Sequence, residues 1–114
     1  MKEYLLIFRS EPVDLSQRTP EEQMGSMEQW KKWMGTLAAQ GKFTGGQPLT
    51  QDGRFMRSKT KITDAPLAEG KEVVNGYLLI KANDYNDAVE LSKGCPIFDN
   101  GGSVEVREIM LMEM

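Results

Sequence analysis

The 114-residue chain contains no histidine. That absence removes the commonest general base and the commonest metal ligand together. Ser-His-Asp hydrolases, Cys-His proteases and nearly all zinc enzymes go with them. Cysteine is almost missing too. Cys95 stands alone, so one chain forms no internal disulfide and no cysteine-based metal site. A lone thiol outside any disulfide framework predicts a reducing compartment, and a cytoplasmic location is expected. There is no basic excess either: Lys plus Arg is 14 against 17 for Asp plus Glu, a formal charge of -3. Proteins that grip phosphate backbones carry the opposite balance, so no direct nucleic-acid binding is expected. Long apolar runs are also lacking. Tyr4-Leu5-Leu6-Ile7-Phe8 is too short for the apolar segment of a signal peptide and far too short to span a bilayer. No membrane partner is expected.

What is present is ordinary globular material, 39% hydrophobic and 27% charged, enough for a single domain over residues 1–114 and no second core. The Tyr4–Phe8 run predicts a buried first strand. Ser10 to Arg18, with Pro12, reads as a loop. Thr19-Pro20-Glu21-Glu22 is a strong helix start: Thr19 caps, Pro20 suits the first helical position and Glu22 completes a capping box. That helix is expected to run to about Gln40, where Gly41 ends it. Met24, Met27, Trp30, Met34, Leu37 and Ala38 share its predicted core face, with Trp33 at the edge.

Lys42 to Leu49, holding Gly45, Gly46 and Pro48, reads as an edge or irregular strand. Asp52-Gly53 carries the hairpin signature, predicting a weak pairing of Leu49-Thr50 with Phe55-Met56. Gly76 to Ala82 is a second confident strand. Asn83 to Asp87 starts a second helix, which Gly94 and Pro96 stop. A loop from Phe98 to Ser103 leads to a last strand from Val104 to about Met112. The order is the split βαβ, ferredoxin-like βαββαβ arrangement of the α+β class, an antiparallel sheet with two helices on one face.

Both central strands are apolar on both faces. Tyr4, Leu6 and Phe8 oppose Leu5 and Ile7, and Tyr77 and Leu79 oppose Leu78 and Ile80. Two helices cover only one side, and a bare apolar face is an exposed patch of roughly several hundred Å2. The economical cover is a second copy about a twofold axis, making a homodimer. The rival is the loop from Gln47 to Lys71 folded over the same face.

The candidate sites follow from residue type. Asp64, Glu69, Lys71 and Glu72 form the densest ionisable cluster beside a proline-containing loop. If it lines a cleft, Asp64 or Glu69 is a candidate catalytic base, with Lys71 and Glu72 as ligand-binding neighbours; otherwise the cluster is a turn cap and a solvated charge run. Glu105 and Arg107, two apart on the last strand, share a face. They make either a structural ion pair or an anion site with Arg107 as its anchor. Trp33 is a pocket-wall or interface candidate. Gly46 marks a close backbone approach, to a strand or to a ligand. Cys95 lacks any base to activate it and reads as structural. No metal site and no cofactor are expected.

The segment Thr63-Asp64-Ala65-Pro66-Leu67-Ala68-Glu69-Gly70-Lys71-Glu72 resembles the DGPF signature of the YCII-related family. Gly76 to Ile80, Asp87-Ala88-Val89-Glu90, Cys95-Pro96 and Gly101-Gly102-Ser103-Val104-Glu105-Val106-Arg107 follow in the family's order. Tyr4-Leu5-Leu6 and Gly45-Gly46 fit as well. Ala65 and Leu67 stand where the signature has Gly and Phe. The resemblance implies a dimeric α+β barrel of ferredoxin-like subunits. It also implies membership of a group whose biochemical function is largely unassigned, with DGPF members often linked to extracytoplasmic-function sigma factors. The His-Asp pair proposed as a site in the YCII branch has no histidine here. The expectation is therefore a small-molecule-binding or regulatory module. The alternative is an enzyme acting on a small anionic metabolite, with Asp64 or Glu69 as base and Arg107 as anchor.

Overall fold

The computed structural model describes residues 1–12 and 15–112. Four long or medium strands form the body of a five-stranded sheet, β1 (Lys2–Ser10), β2 (Phe43–Pro48), β6 (Glu72–Ala82) and β7 (Ser103–Glu108), with a short fifth strand paired to β6. Two helices cross it, α1 (Pro20–Ala39) and α2 (Tyr85–Ser92). The short strands β3 (Phe55–Met56), β4 (Ile62–Thr63) and β5 (Ala68–Glu69) lie in the segment between β2 and β6. The strand order is β2-β6-β1-β7 and every pairing is antiparallel. This is the ferredoxin-like α+β frame: α1 joins β1 to β2 across the strand β6 inserted between them.

Each element has a local cause. The apolar run at Tyr4–Phe8 becomes the centre of β1, which pairs with β6 on one side and β7 on the other. Thr19 caps α1, its hydroxyl accepting from the Glu22 N–H at 3.1 Å, so one of the helix's unpaired first-turn donors is satisfied. Asp84 does the same for α2, accepting from the Asp87 N–H at 2.8 Å. β2 is both an edge strand and irregular, with a register shift between Phe43 and Gly45.

The core lies between sheet and helices, built on Tyr4, Leu6, Phe8, Leu78 and Ile80 from the sheet and on Trp33 and Leu37 from α1. Phe8, Trp30 and Trp33 meet edge to face, with ring centroids 5.2 to 6.3 Å apart, the favoured geometry for aromatic neighbours.

Several sequence expectations need correction. Trp33 is at the centre of the α1 core face, not its edge, while Ala38, Met24 and Met27 are exposed. The buried stripe runs through Trp33 and Leu37, one helical turn apart, and Trp30 and Met34 flank it. The Asp52-Gly53 turn does not make the hairpin. Asp52 accepts from the Gly53 N–H and the Arg54 guanidinium, both at 2.8 Å, which closes a local side-chain turn instead. Phe55-Met56 pairs with Ile62-Thr63, and Ser58 organises that turn by accepting from the N–H groups of Thr60 and Lys61. β7 stops at Glu108, short of the expected Met112. The Ser10–Arg18 loop contains a 3-10 turn at Leu15–Gln17, and its positions 13 and 14 lie outside the described residues. The Phe98 end of the following loop is likewise 3-10 helical, over Pro96–Asn100. No helix among the described residues is long and apolar enough to cross a membrane.

Candidate functional site

α1 is 20 residues long, about 30 Å at the helical rise, whereas β2 beneath it has six residues, about 20 Å. The helix therefore outruns this edge strand. Along its middle turns, from Ser26 to Met34, a cavity of about 670 Å3 opens between α1 and the strands β1, β2 and β6. Ligand sites usually fall between about 300 and 1,000 Å3. Trp30, Met34 and Met27 form the helix wall, Phe8 and Leu78 the floor, and Phe43 and Ile97 two of the sides. A cavity with these walls favours an apolar body.

The floor depends on Gly46. A Cβ at this position would sit 2.5 Å from the Tyr77 carbonyl oxygen and 2.9 Å from the Leu78 Cα, and its φ is +152°. The absence of a side chain lets β2 close against β6 while leaving room above it.

Ser10, Ser26, Gln47, Asn75 and Asn100 add uncharged polar groups from several elements. The Asn75 amide donates to the Ser10 hydroxyl, and that hydroxyl donates to the Glu11 carbonyl at 3.3 Å; Ser10 and Asn75 both line the cavity. Arg18 and Lys31 complete its charged complement. Among the described residues no carboxylate lines it.

The sequence-derived candidates are distributed differently. Of them, only Gly46 lines the cavity. Asp64 is in the segment between β4 and β5, its side chain 91% exposed and 3.6 Å from the Arg54 guanidinium. Glu69 is exposed on β5 and faces Glu72 across the β5–β6 pairing, with exposed Lys71 in the turn between them. None of these four ionisable residues lines the cavity. Trp33 lies behind the cavity in the core, where its indole N–H donates to the Leu91 carbonyl at 3.0 Å and ties α1 to α2.

Glu105 and Arg107 do share a face, on the side of the sheet opposite the helices. A residue the sequence reading passed over, Arg9, makes the stronger contact: its guanidinium lies 2.6 Å from Glu105, against 3.5 Å for Arg107. The hydrogen bond from Arg9 holds the Glu105 carboxyl below its ordinary value, and the charges of Arg9 and Arg107 add to that. Arg107 is ion-paired and its side chain is 66% exposed. Cys95 is buried, and burial pushes its thiol up to about 11. Among the described residues no group of three or more Cys, Asp or Glu side chains is placed to hold a metal ion.

The cavity residues that went unnoticed had a signal. Trp30 and Met34 are one helical turn apart, with Lys31 beside Trp30. Phe8 projects from the end of β1 that faces them. The sequence places a ligand-sized cleft between the helix face, the sheet and the Asp64 loop; the cavity has the helix and sheet walls, and no residue of that loop lines it.

The family model of the YCII-related domain matches residues 2–113. The chain belongs to the YCII-related family. No curated protein matches it. As a YCII-related domain it lacks the histidine of the His-Asp pair proposed for that branch, so chemistry resting on that pair has no counterpart in this member.

Proposed function

We propose that this YCII-related domain is a homodimeric small-molecule-binding module whose site is the cavity between α1 and the sheet. The observation that carries the reading is the cavity itself. A 670 Å3 space walled by Phe8, Trp30, Met34 and Phe43 costs the fold dispersion contacts that a filled core would supply, and an apolar ligand restores them. Among the described residues its wall carries no carboxylate, which favours binding over carboxylate acid–base chemistry. The link to extracytoplasmic-function sigma-factor systems, and with it a regulatory role in the cytoplasm, rests on the family resemblance.

The homodimer is supported by the second sheet face. Leu5, Ile7, Tyr77 and Leu79 are directed away from the helices and only half-buried. The slab is 21 Å thin, and its radius of gyration is 15.7 Å, where a compact chain of this size has about 13 Å. The segment that offered a rival cover pairs elsewhere: β3 and β4 form their own small sheet, and β5 continues the β2 edge of β6. A second copy placed face to face buries the apolar strip and aligns two Arg9–Glu105–Arg107 clusters at its margin.

Native mass spectrometry of gently purified protein tests both parts. The expected result is twice the 12.9 kDa chain mass, with small-molecule adducts retained on the dimer. A monomer would overturn the assembly, and a dimer that takes up no apolar compound at saturating concentration would overturn the binding site.

A further inference from the structure

The charged residues of the cavity are sorted against the composition of the chain. Acids outnumber bases, 17 to 14, yet among the described residues the cavity wall holds two cations, Arg18 and Lys31, and no acid. Elsewhere six cations are ion-paired: Lys2 with Glu108, Arg9 and Arg107 with Glu105, Lys42 with Asp87, Arg54 with Asp52 and Asp64, and Lys93 with Glu90. Lys32, Arg57, Lys59, Lys61, Lys71 and Lys81 make no ion pair among the described residues and line no part of the cavity. Arg18 and Lys31 make no ion pair among the described residues. Lys31 follows Trp30 directly on α1, and Arg18 precedes the Thr19 cap by one residue. Two cations without an ion pair among the described residues therefore stand at the helix side of a largely apolar space, Arg18 partly buried and Lys31 exposed at its rim.

From this arrangement we infer that the ligand is an amphipathic organic anion: a flat apolar or aromatic body against Trp30, Phe8 and Met34, and one acidic group, carboxylate or sulfonate, at Arg18 and Lys31. The inference rests on the cavity being a small-molecule site and adds the chemical class. An aromatic ring meets Trp30 in the stacked or edge-on geometries that aromatic pairs favour. The acid group meets guanidinium and ammonium donors at the margin of an apolar wall, where charge-assisted hydrogen bonds are stronger than in open water. A polyphosphate or a sugar, polar over its whole surface, leaves these apolar walls without a partner. A neutral hydrocarbon leaves both cations without one.

Two fluorescent probes separate the parts of this inference. Anilinonaphthalene sulfonate is an apolar ring system carrying one sulfonate; phenylnaphthylamine has the same rings and no charge. Titrations of the wild-type protein, of Arg18→Gln with Lys31→Gln, and of the charge-matched Lys2→Gln with Lys93→Gln give the comparison. Both probes are expected to bind the wild type. The cavity double variant is expected to weaken the sulfonate by on the order of tenfold or more and to leave the neutral probe unchanged, with no effect from the distal pair. Equal binding of both probes to wild type and cavity variant would overturn the anion inference and leave the cavity reading standing. Equal weakening by the distal pair would overturn it too, since net charge alone would then explain the effect. If neither probe binds, or if both still bind Met34→Trp, in which the indole fills the cavity, the cavity reading itself fails.

Discussion

The Tyr77 carbonyl oxygen lies 2.5 Å from where a Cβ on Gly46 would stand, with the Leu78 Cδ1 and Cα at 2.7 and 2.9 Å. Two of those three atoms belong to the backbone, so a rotation of the Leu78 side chain does not relieve the clash. Gly46→Ala must push β2 away from β6 or tilt the strand, at the floor of the cavity. Overpacking of this kind costs about 1–3 kcal/mol. A drop of roughly 5 °C or more in the melting temperature is expected, together with loss of probe binding. A Gly46→Ala protein with unchanged stability and affinity would mean that the two strands do not need this close approach.

Tyr4 offers the opposite sign. Its ring is fully buried and meets Tyr85 edge to face at 5.0 Å, while its hydroxyl has no hydrogen-bond partner among the described residues. Burial, with Glu108 nearby, raises its pKa, so it is un-ionised throughout the neutral range. Tyr4→Phe keeps the ring and removes an unpaired buried hydroxyl, whose desolvation costs about 1–3 kcal/mol. Thermal unfolding is expected to be unchanged or to rise by a few degrees. A clear loss of stability would reveal a partner for that hydroxyl.

How much of this was legible from sequence depends on what each residue's neighbours were. β1, β6 and the two helix starts were plain because apolar runs and capping residues act within a few positions: Thr19 reaches Glu22, and Asp84 reaches Asp87. Trp33 was misplaced because the face that a helix buries is chosen by its distant partners, here Phe8 and the Leu91 carbonyl. The Asp52-Gly53 turn misled for a related reason. Arg54 gave Asp52 a local partner, and Ser58 built the hairpin five residues on. Asp64, Glu69, Lys71 and Glu72 stand out because their charges lie close together along the chain, whereas Arg18, Lys31, Trp30 and Phe8 come together only when α1 is laid across the sheet.

Glu105 makes stability depend on pH. Arg9 and Arg107 lower its pKa in the folded protein below the ordinary 4.5. A lowered carboxyl pKa contributes stability that is complete above the unfolded value and is lost as pH falls through the folded one. The melting-temperature difference between wild type and Glu105→Gln is therefore expected to be constant from neutral pH down to about 4.5 and to shrink below it. A difference that persists undiminished in strong acid would show that the pair does not govern the effect.

Cys95 is expected to be inert. With burial raising its thiol to about 11, almost no thiolate exists at pH 8, and access is closed as well. A thiol-reactive dye should label it at the rate of unfolding, and quickly only in denaturant. Rapid labelling of the folded protein would contradict its burial.

The central claim is that a ligand sits between α1 and the sheet, and the methionines report on it directly. Of the eight in the chain, Met27 and Met34 line the cavity, while Met24, Met56, Met110 and Met112 lie exposed elsewhere. A titration of methyl-labelled methionine protein with anilinonaphthalene sulfonate, followed by NMR, separates the two groups. The expected result is saturable shifts of the Met27 and Met34 methyls with the exposed four unmoved. Shifts confined to Met24, Met56, Met110 or Met112 would place the ligand outside the cavity and contradict the account.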